Sequence, residues 1–176
     1  MEFTTLGRTG LTVSVAGLGC GGHSRLGQAY GNSISDSVGV VAAALDAGVN
    51  FIDTAAAYRT EPIVGQALQG RRDRAIISSK TAVEREPFNR GQTELMTAAQ
   101  LTERLEASLQ RLQTDYIDVY NLHGVLHSQL DQVETELVPE LLRLKQQGKI
   151  RWLGITDRFV ADTSHAMLQR AVPSGV

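Results

Sequence analysis

Four side chains in this sequence could move or bias protons together: Asp53, Tyr58, Lys80 and His123. Each alone has an ordinary reading. Asp53 can cap a turn, Tyr58 can lie as an amphipathic ring on the surface, Lys80 can be solvated, and His123 can be a satisfied core histidine. Together they make a coherent chemistry. A free tyrosine, with a pKa of about 10, is a poor acid at neutral pH. A nearby ammonium favours its phenolate; at about 4 Å and an effective dielectric near 20 the attraction is roughly 4 kcal/mol. A carboxylate beside the lysine keeps that lysine charged. A histidine can donate a hydrogen bond to a carbonyl oxygen and orient it. Such a set suits protonation of a carbonyl that receives hydride from a nicotinamide.

The elements that must position these residues follow from the apolar pattern. Strand-like runs occur at Val13–Gly19, Val49–Asp53, Ala75–Lys80, Tyr116–His123 and Ile150–Thr156. They are near-continuously apolar, as strands buried on both faces are. Helical periodicity fills the intervals: Asp36–Ala47, a helix capped by Thr60 and running to about Leu68, Gln100–Leu112, Leu137–Gln147 with Pro139 in its first turn, and a weaker Phe159–Ala171. Ahead of these, Phe3–Leu6 and Leu11–Ser14 flank Gly7-Arg8-Thr9-Gly10 and read as a hairpin. Alternating strand and helix predicts parallel strands with right-handed crossovers. Asp53, Lys80 and His123 then end successive strands, and Tyr58 lies in the loop after Asp53, so the four converge on one rim. Residues 1–176 read as a single domain of five βα units. That is either an incomplete (β/α)8 barrel, which needs eight units, or an open doubly wound sheet.

Composition narrows the partners. The net charge of −2 with 17 basic residues has no polycation signature, so nucleic acid is not expected. Arg71, Arg72 and Arg74 cluster before a strand and read as a solvated turn. Cys20 is the only cysteine, which excludes an internal disulfide and fits a reducing compartment; it reads as a small buried or rim residue. No secretory leader or membrane span is evident, so a cytoplasmic protein is expected. His123 and His127 are four apart, but His123 ends a strand, so no metal site is expected. GLGCGG lacks the spacing of a dinucleotide fingerprint. Asp118 and Tyr120 fall on the strand face opposite His123, towards the helical layer or a strand-end polar contact, not the active site.

Several segments carry a family likeness. Gly48–Gly65, GVNFIDTAAAYRTEPIVG, resembles the first signature of the aldo-keto reductase family, whose aspartate and tyrosine match Asp53 and Tyr58. AIISSKTAV resembles its third strand, with Lys80; LQTDYIDVYNLHG its fourth, with His123; GKIRWLGITD its fifth. The opening LGRTGLTVSVAGLGCGG resembles its bottom-plugging hairpin and first strand.

The resemblance implies an α/β fold, a (β/α)8 TIM barrel of aldo-keto reductase type, incomplete, with an N-terminal hairpin and about five βα units. It implies reduction of an aldehyde or ketone to an alcohol with NAD(P)H, NADP(H) rather than NAD(H). Tyr58 would be the proton donor, Lys80 held by Asp53 would tune it, and His123 would orient the substrate. Gly21, Gly22, Asp53, Thr156 and Asp157 would face the cofactor. The family has Ser-Asn where this sequence has Thr156-Asp157, and a Trp in some branches where it has Gly124. The expected partner is a small carbonyl or alcohol, with self-association through sheet edges. The alternative implied is a truncated, inactive binding module or remnant.

Overall fold

A computed structural model describes residues 1–85, 94–158 and 160–174. The chain opens with an antiparallel hairpin, β1 (Phe3–Thr5) and β2 (Thr12–Ser14), in which Phe3 pairs with Ser14. Five parallel strands follow, hydrogen-bonded in the order β3-β4-β5-β6-β7. They are β3 (Gly17–Gly19), β4 (Phe51–Asp53), β5 (Ile76–Ala82), β6 (Ile117–Val125) and β7 (Ile150–Asp157). Strand order equal to sequence order, with a helix in each described crossover, is the winding of a (β/α) barrel, and the described sheet is an incomplete one.

The helices are amphipathic and bury their apolar stripe against the sheet. α1 (Ile34–Asp46) starts at a capping box in which Ser33 and Asp36 satisfy each other's backbone N–H groups. α2 spans Glu61–Ala67. α3 (Ala98–Leu112) has a second capping box, Thr97 with Gln100, and buries Leu101, Leu105, Leu109 and Leu112 at helical spacing. Each such leucine contributes about 1.5–3 kcal/mol on leaving water.

Some expectations need correction. Val13–Gly19 is not one strand: the chain turns at Val15-Ala16, leaving β2 in the hairpin and β3 in the parallel sheet. Asn50, just before β4, clasps that hairpin. Its Oδ1 accepts the Ser14 N–H at 2.6 Å, and its Nδ2 donates to Thr12 O at 2.9 Å. The hairpin is thereby fixed at the N-terminal end of the sheet.

The helix expected from Leu137 starts a full two turns earlier. α4 (Leu130–Gln132) continues through a π-helical segment, Val133–Leu137, into α5 (Val138–Gln146). The wide turn accommodates Pro139, which has no N–H to donate, so the proline sits inside the helical run rather than opening it. α6 spans Ala166–Ser174. The expected start at Phe159 lies outside the described residues, and 160–165 form turns.

The arginine turn is also not simply solvated. Arg72 stacks on the Tyr116 ring at 4.1 Å and donates to Asp118, Thr114, Ala75 O and Tyr116 O. It pins the N-terminal ends of β5 and β6 together. Among the described residues, no helix is long and apolar enough to cross a membrane.

Candidate active site

The site forms where β4, β5 and β6 end. Asp53 is the last residue of β4, while β5 and β6 run two residues past Lys80 and His123. Lys80 Nζ donates to both Asp53 oxygens, at 2.6 and 2.7 Å, and to Thr54 O at 3.0 Å. All three ammonium protons are thereby engaged. The lysine side chain is 10% exposed and that of Asp53 36%, so the ammonium is held out of water while the carboxylate stays partly wet.

Tyr58 closes a 3-10 turn, Ala56–Tyr58, that brings its ring back over the strand ends. Lys80 Nζ lies 5.0 Å from the ring centroid. His123 meets the same ring edge-on, with centroids 5.9 Å apart and planes at 90°. The structure thus brings Asp53, Tyr58, Lys80 and His123 into one cluster on the rim.

Burial, and then the Lys80 charge, hold the His123 imidazole below its ordinary pKa; Arg158 adds to this, while Asp53 and Glu84 act the other way. At neutral pH the ring is therefore uncharged, with one nitrogen free to donate and one to accept.

Further residues shape the rim. Gly21 passes so close to Tyr58 that a Cβ there would lie 2.5 Å from the ring, so the tyrosine can occupy its place only over glycine. Gly22 follows on the same loop. Cys20 lies under the rim, fully buried, its thiol pushed up to about 12 by burial and then by Asp53, with Lys80 opposing. It stays a thiol, too poorly ionised to be a nucleophile.

At the end of β7, Thr156 Oγ1 accepts the Gly124 N–H at 2.9 Å. Gly124 has a φ of 71° inside a register shift of β6, a bulge that turns its N–H towards β7. Asp157 accepts a hydrogen bond from the His165 ring.

Three residues not singled out in the sequence complete the network. Ser78 pairs across from Asp53 and donates to its Oδ1 at 3.2 Å. Asn121 pairs across from Lys80, and its Nδ2 donates to Ser78 Oγ and to Ser79 O, each at 3.1 Å. Gly154, opposite Asn121 on β7, makes room for that amide: a Cβ there would lie 2.0 Å from Asn121 Oδ1. A period-2 reading carries the signal. Ser78 is two before Lys80, and Asn121 two before His123, so each shares a face with the residue already recognised.

Asp118 and Tyr120 are fully buried. Asp118 is ion-paired with Arg72 and Arg151 at the opposite end of the sheet from the rim. His127 is exposed on the turn after β6. Among the described residues, no group of three or more His, Cys, Asp or Glu is placed to hold a metal ion.

The rim chemistry fits a nicotinamide carboxamide in its donor and acceptor types. The Thr156 oxygen accepts from Gly124, so its own O–H is left to donate, and Asp157 is an acceptor for an amide N–H.

The comparisons with known proteins agree with this architecture. Residues 18–174 match the Aldo/keto reductase family. The chain is 36% identical over its whole length to the L-galactose dehydrogenase of Arabidopsis thaliana, of which it covers 54%. It is 37% identical to an aldo-keto reductase of Bacillus subtilis, with 89% of this chain and 47% of that protein aligned. The chain thus spans about half the length of the curated relatives it matches. Among solved structures, the holo form of an aldo-keto reductase from Bacillus halodurans superposes with a TM-score of 0.72 at 34% identity, covering 89% of this chain and 50% of that one. One from Klebsiella pneumoniae in complex with NADPH superposes at 0.68 and 30% identity, covering 97% and 54%. By sequence and by fold, this chain belongs to the Aldo/keto reductase family.

Proposed function

We propose that the chain carries the proton-transfer half of an NADP(H)-dependent oxidoreductase that interconverts a small aldehyde or ketone with its alcohol. The observation that carries this reading is the Asp53–Lys80 pair lying under the Tyr58 ring with the uncharged His123 edge-on beside it. Tyr58 donates the proton to the carbonyl oxygen in reduction and takes it back in oxidation. Lys80 supplies the positive charge that steadies the phenolate left behind, and Asp53 keeps that mostly buried lysine charged. His123 donates a hydrogen bond to the carbonyl oxygen and aims it at Tyr58. Gly21 and Gly22 lie at the rim where the nicotinamide is expected, with Asp53 below. Thr156 and Asp157 offer a donor and an acceptor to its carboxamide. When bound, the cofactor supplies hydride to the carbonyl carbon. NADP(H) is favoured by the NADPH-bound relative from Klebsiella pneumoniae.

Fluorescence titration of the purified chain with NADPH, followed by NADPH oxidation with an aldehyde panel, tests the reading. Saturable binding and turnover are expected. The sheet edges favour a second reading, because β3 and β7 each have one hydrogen-bonded neighbour among the described residues. Under it, the chain binds cofactor or a further copy of itself through those edges, without turnover. Binding with no carbonyl reduction, together with an oligomeric mass, would select that reading over the first.

A further inference from the structure

A cavity of about 240 Å³ lies on the helical side of the sheet, between α3 and the end of β5. Its walls are Ala56 and Ala57, Thr81 and Ala82, and the α3 residues Arg104, Ala107 and Arg111. The three α3 residues are spaced i, i+3 and i+7, so they share one helix face. The alanines leave the space, and the two arginines bring charge to it.

The two guanidinium groups are not equivalent. Arg111 is neutralised: its Nε donates to the fully buried Glu61 at 2.7 Å, and its Nη2 to Ser108 Oγ at 3.0 Å. Arg104 has no carboxylate partner among the described residues. It donates only to backbone carbonyls, Ala82 O and Arg85 O, each at 2.7 Å. Glu84 acts on it through space but is itself paired with Arg158. A half-buried guanidinium without a counter-ion is costly, because desolvation penalises charge that nothing offsets; burial already pulls the Arg104 group below its ordinary pKa. Among the described residues, the cavity therefore holds one unmatched positive charge beside four alanine methyls.

That chemistry selects the occupant. One positive charge asks for one negative charge, and guanidinium forks match carboxylates. Alanine walls suit a short alkyl tail. A volume of about 240 Å³ equals that of about eight waters, room for a ligand of about six non-hydrogen atoms. We propose that this cavity, between α3 and the end of β5 and bordered by the turn that carries Tyr58, is a second binding site for a short-chain monocarboxylate. The occupant would touch Ala56 and Ala57, the first two residues of the turn that ends in Tyr58, so the site is placed to steady that turn.

The probe is sodium butyrate, read by thermal unfolding of the whole chain. Butyramide serves as the neutral isostere and sodium chloride matches ionic strength. Butyrate is expected to raise Tm saturably, and butyramide to leave it unchanged. The rise is expected to vanish in Arg104→Gln and in Ala107→Leu, and to persist in His123→Ala. Ala107→Leu fills the cavity while keeping every Arg104 hydrogen bond, so it decides the matter even if Arg104→Gln folds poorly. No rise with butyrate, an equal rise with butyramide, or a rise that survives Ala107→Leu would overturn the proposal. Loss of the rise in His123→Ala would also overturn it, by placing the anion on the Tyr58 rim.

Discussion

Two aspartates on the sheet, Asp118 and Asp53, hold cations at its opposite ends, and their surroundings are built differently. At the N-terminal end, Asp118 is 1% exposed and every contact is structural: Arg72 at 2.7 Å, Arg151 at 2.7 Å and the Ile77 N–H at 2.9 Å. Its cations are guanidiniums, which do not lose a proton, and its third partner is strand backbone. At the C-terminal end, Asp53 is 36% exposed, its cation is a lysine, the Tyr58 ring lies over that lysine, and the His123 imidazole meets the ring edge-on. The same charge pairing holds strands together at one end and leaves titratable groups facing open space at the other. In βα barrels, residues at the first end serve stability and those at the second serve chemistry.

That contrast can be broken by mutation. Tyr58→Phe is expected to cost about 10²–10⁴-fold in carbonyl reduction with Tm nearly unchanged, since it removes the acid and no packing. A large drop in Tm with it would make Tyr58 a structural residue. Asp118→Ala should do the reverse. It strands the Ile77 N–H and two arginines, costing about 3 kcal/mol, or about 6–12 °C in Tm, while leaving the rim untouched. If its kcat falls as far as its stability, the two ends are coupled.

Ser78→Ala sharpens the comparison from within the rim. It removes one charge-assisted hydrogen bond to the Asp53 carboxylate, worth about 1.5 kcal/mol, so about a tenfold loss of kcat is expected at unchanged KM. Ser78→Thr, which keeps the hydroxyl, should restore the rate.

The smallest effect is in pH. His123 is held below its ordinary value, so the unfolded chain binds the proton more readily than the folded one. The stability tied to its uncharged form is complete above about pH 6.5 and is lost as pH falls through the lower folded value. His123→Gln should remove that part of the acid sensitivity, measured as a flatter Tm-against-pH curve below pH 6.5. An unchanged curve would mean that the ring is as hydrated folded as unfolded.

Much of this was legible in the sequence because apolar strands, helical spacing and stop signals agree locally. Asp53 ends a five-residue strand-like run, and Tyr58 lies five residues on, so the spacing alone puts both on the rim. Ser78 and Asn121 do not stand out by residue type; period-2 spacing puts them on the faces of Lys80 and His123, and the cross-strand register shows what they brace. Pro139 misled for the opposite reason. Its local rule is strong, and the π turn just before it lets the helix run through it. Arg72 looked like surface charge because the ring and carboxylate that hold it lie more than 40 residues away in sequence.

The missing side chain at Gly154 has an evolutionary consequence. Its backbone approaches the Asn121 amide so closely that the two positions form one unit of change. Gly154→Ala alone should displace the amide, and Asn121→Ala alone should leave Ser78 without its donor. With both made together, the added methyl fills the space the amide vacates. A double-mutant cycle in stability should therefore be strongly non-additive, the pair costing less than the two single changes summed. Strict additivity would mean that β7 yields locally and that the two sites drift independently. The coupling would make this position a one-way gate in the history of the strand, open to a larger residue only after its neighbour has shrunk.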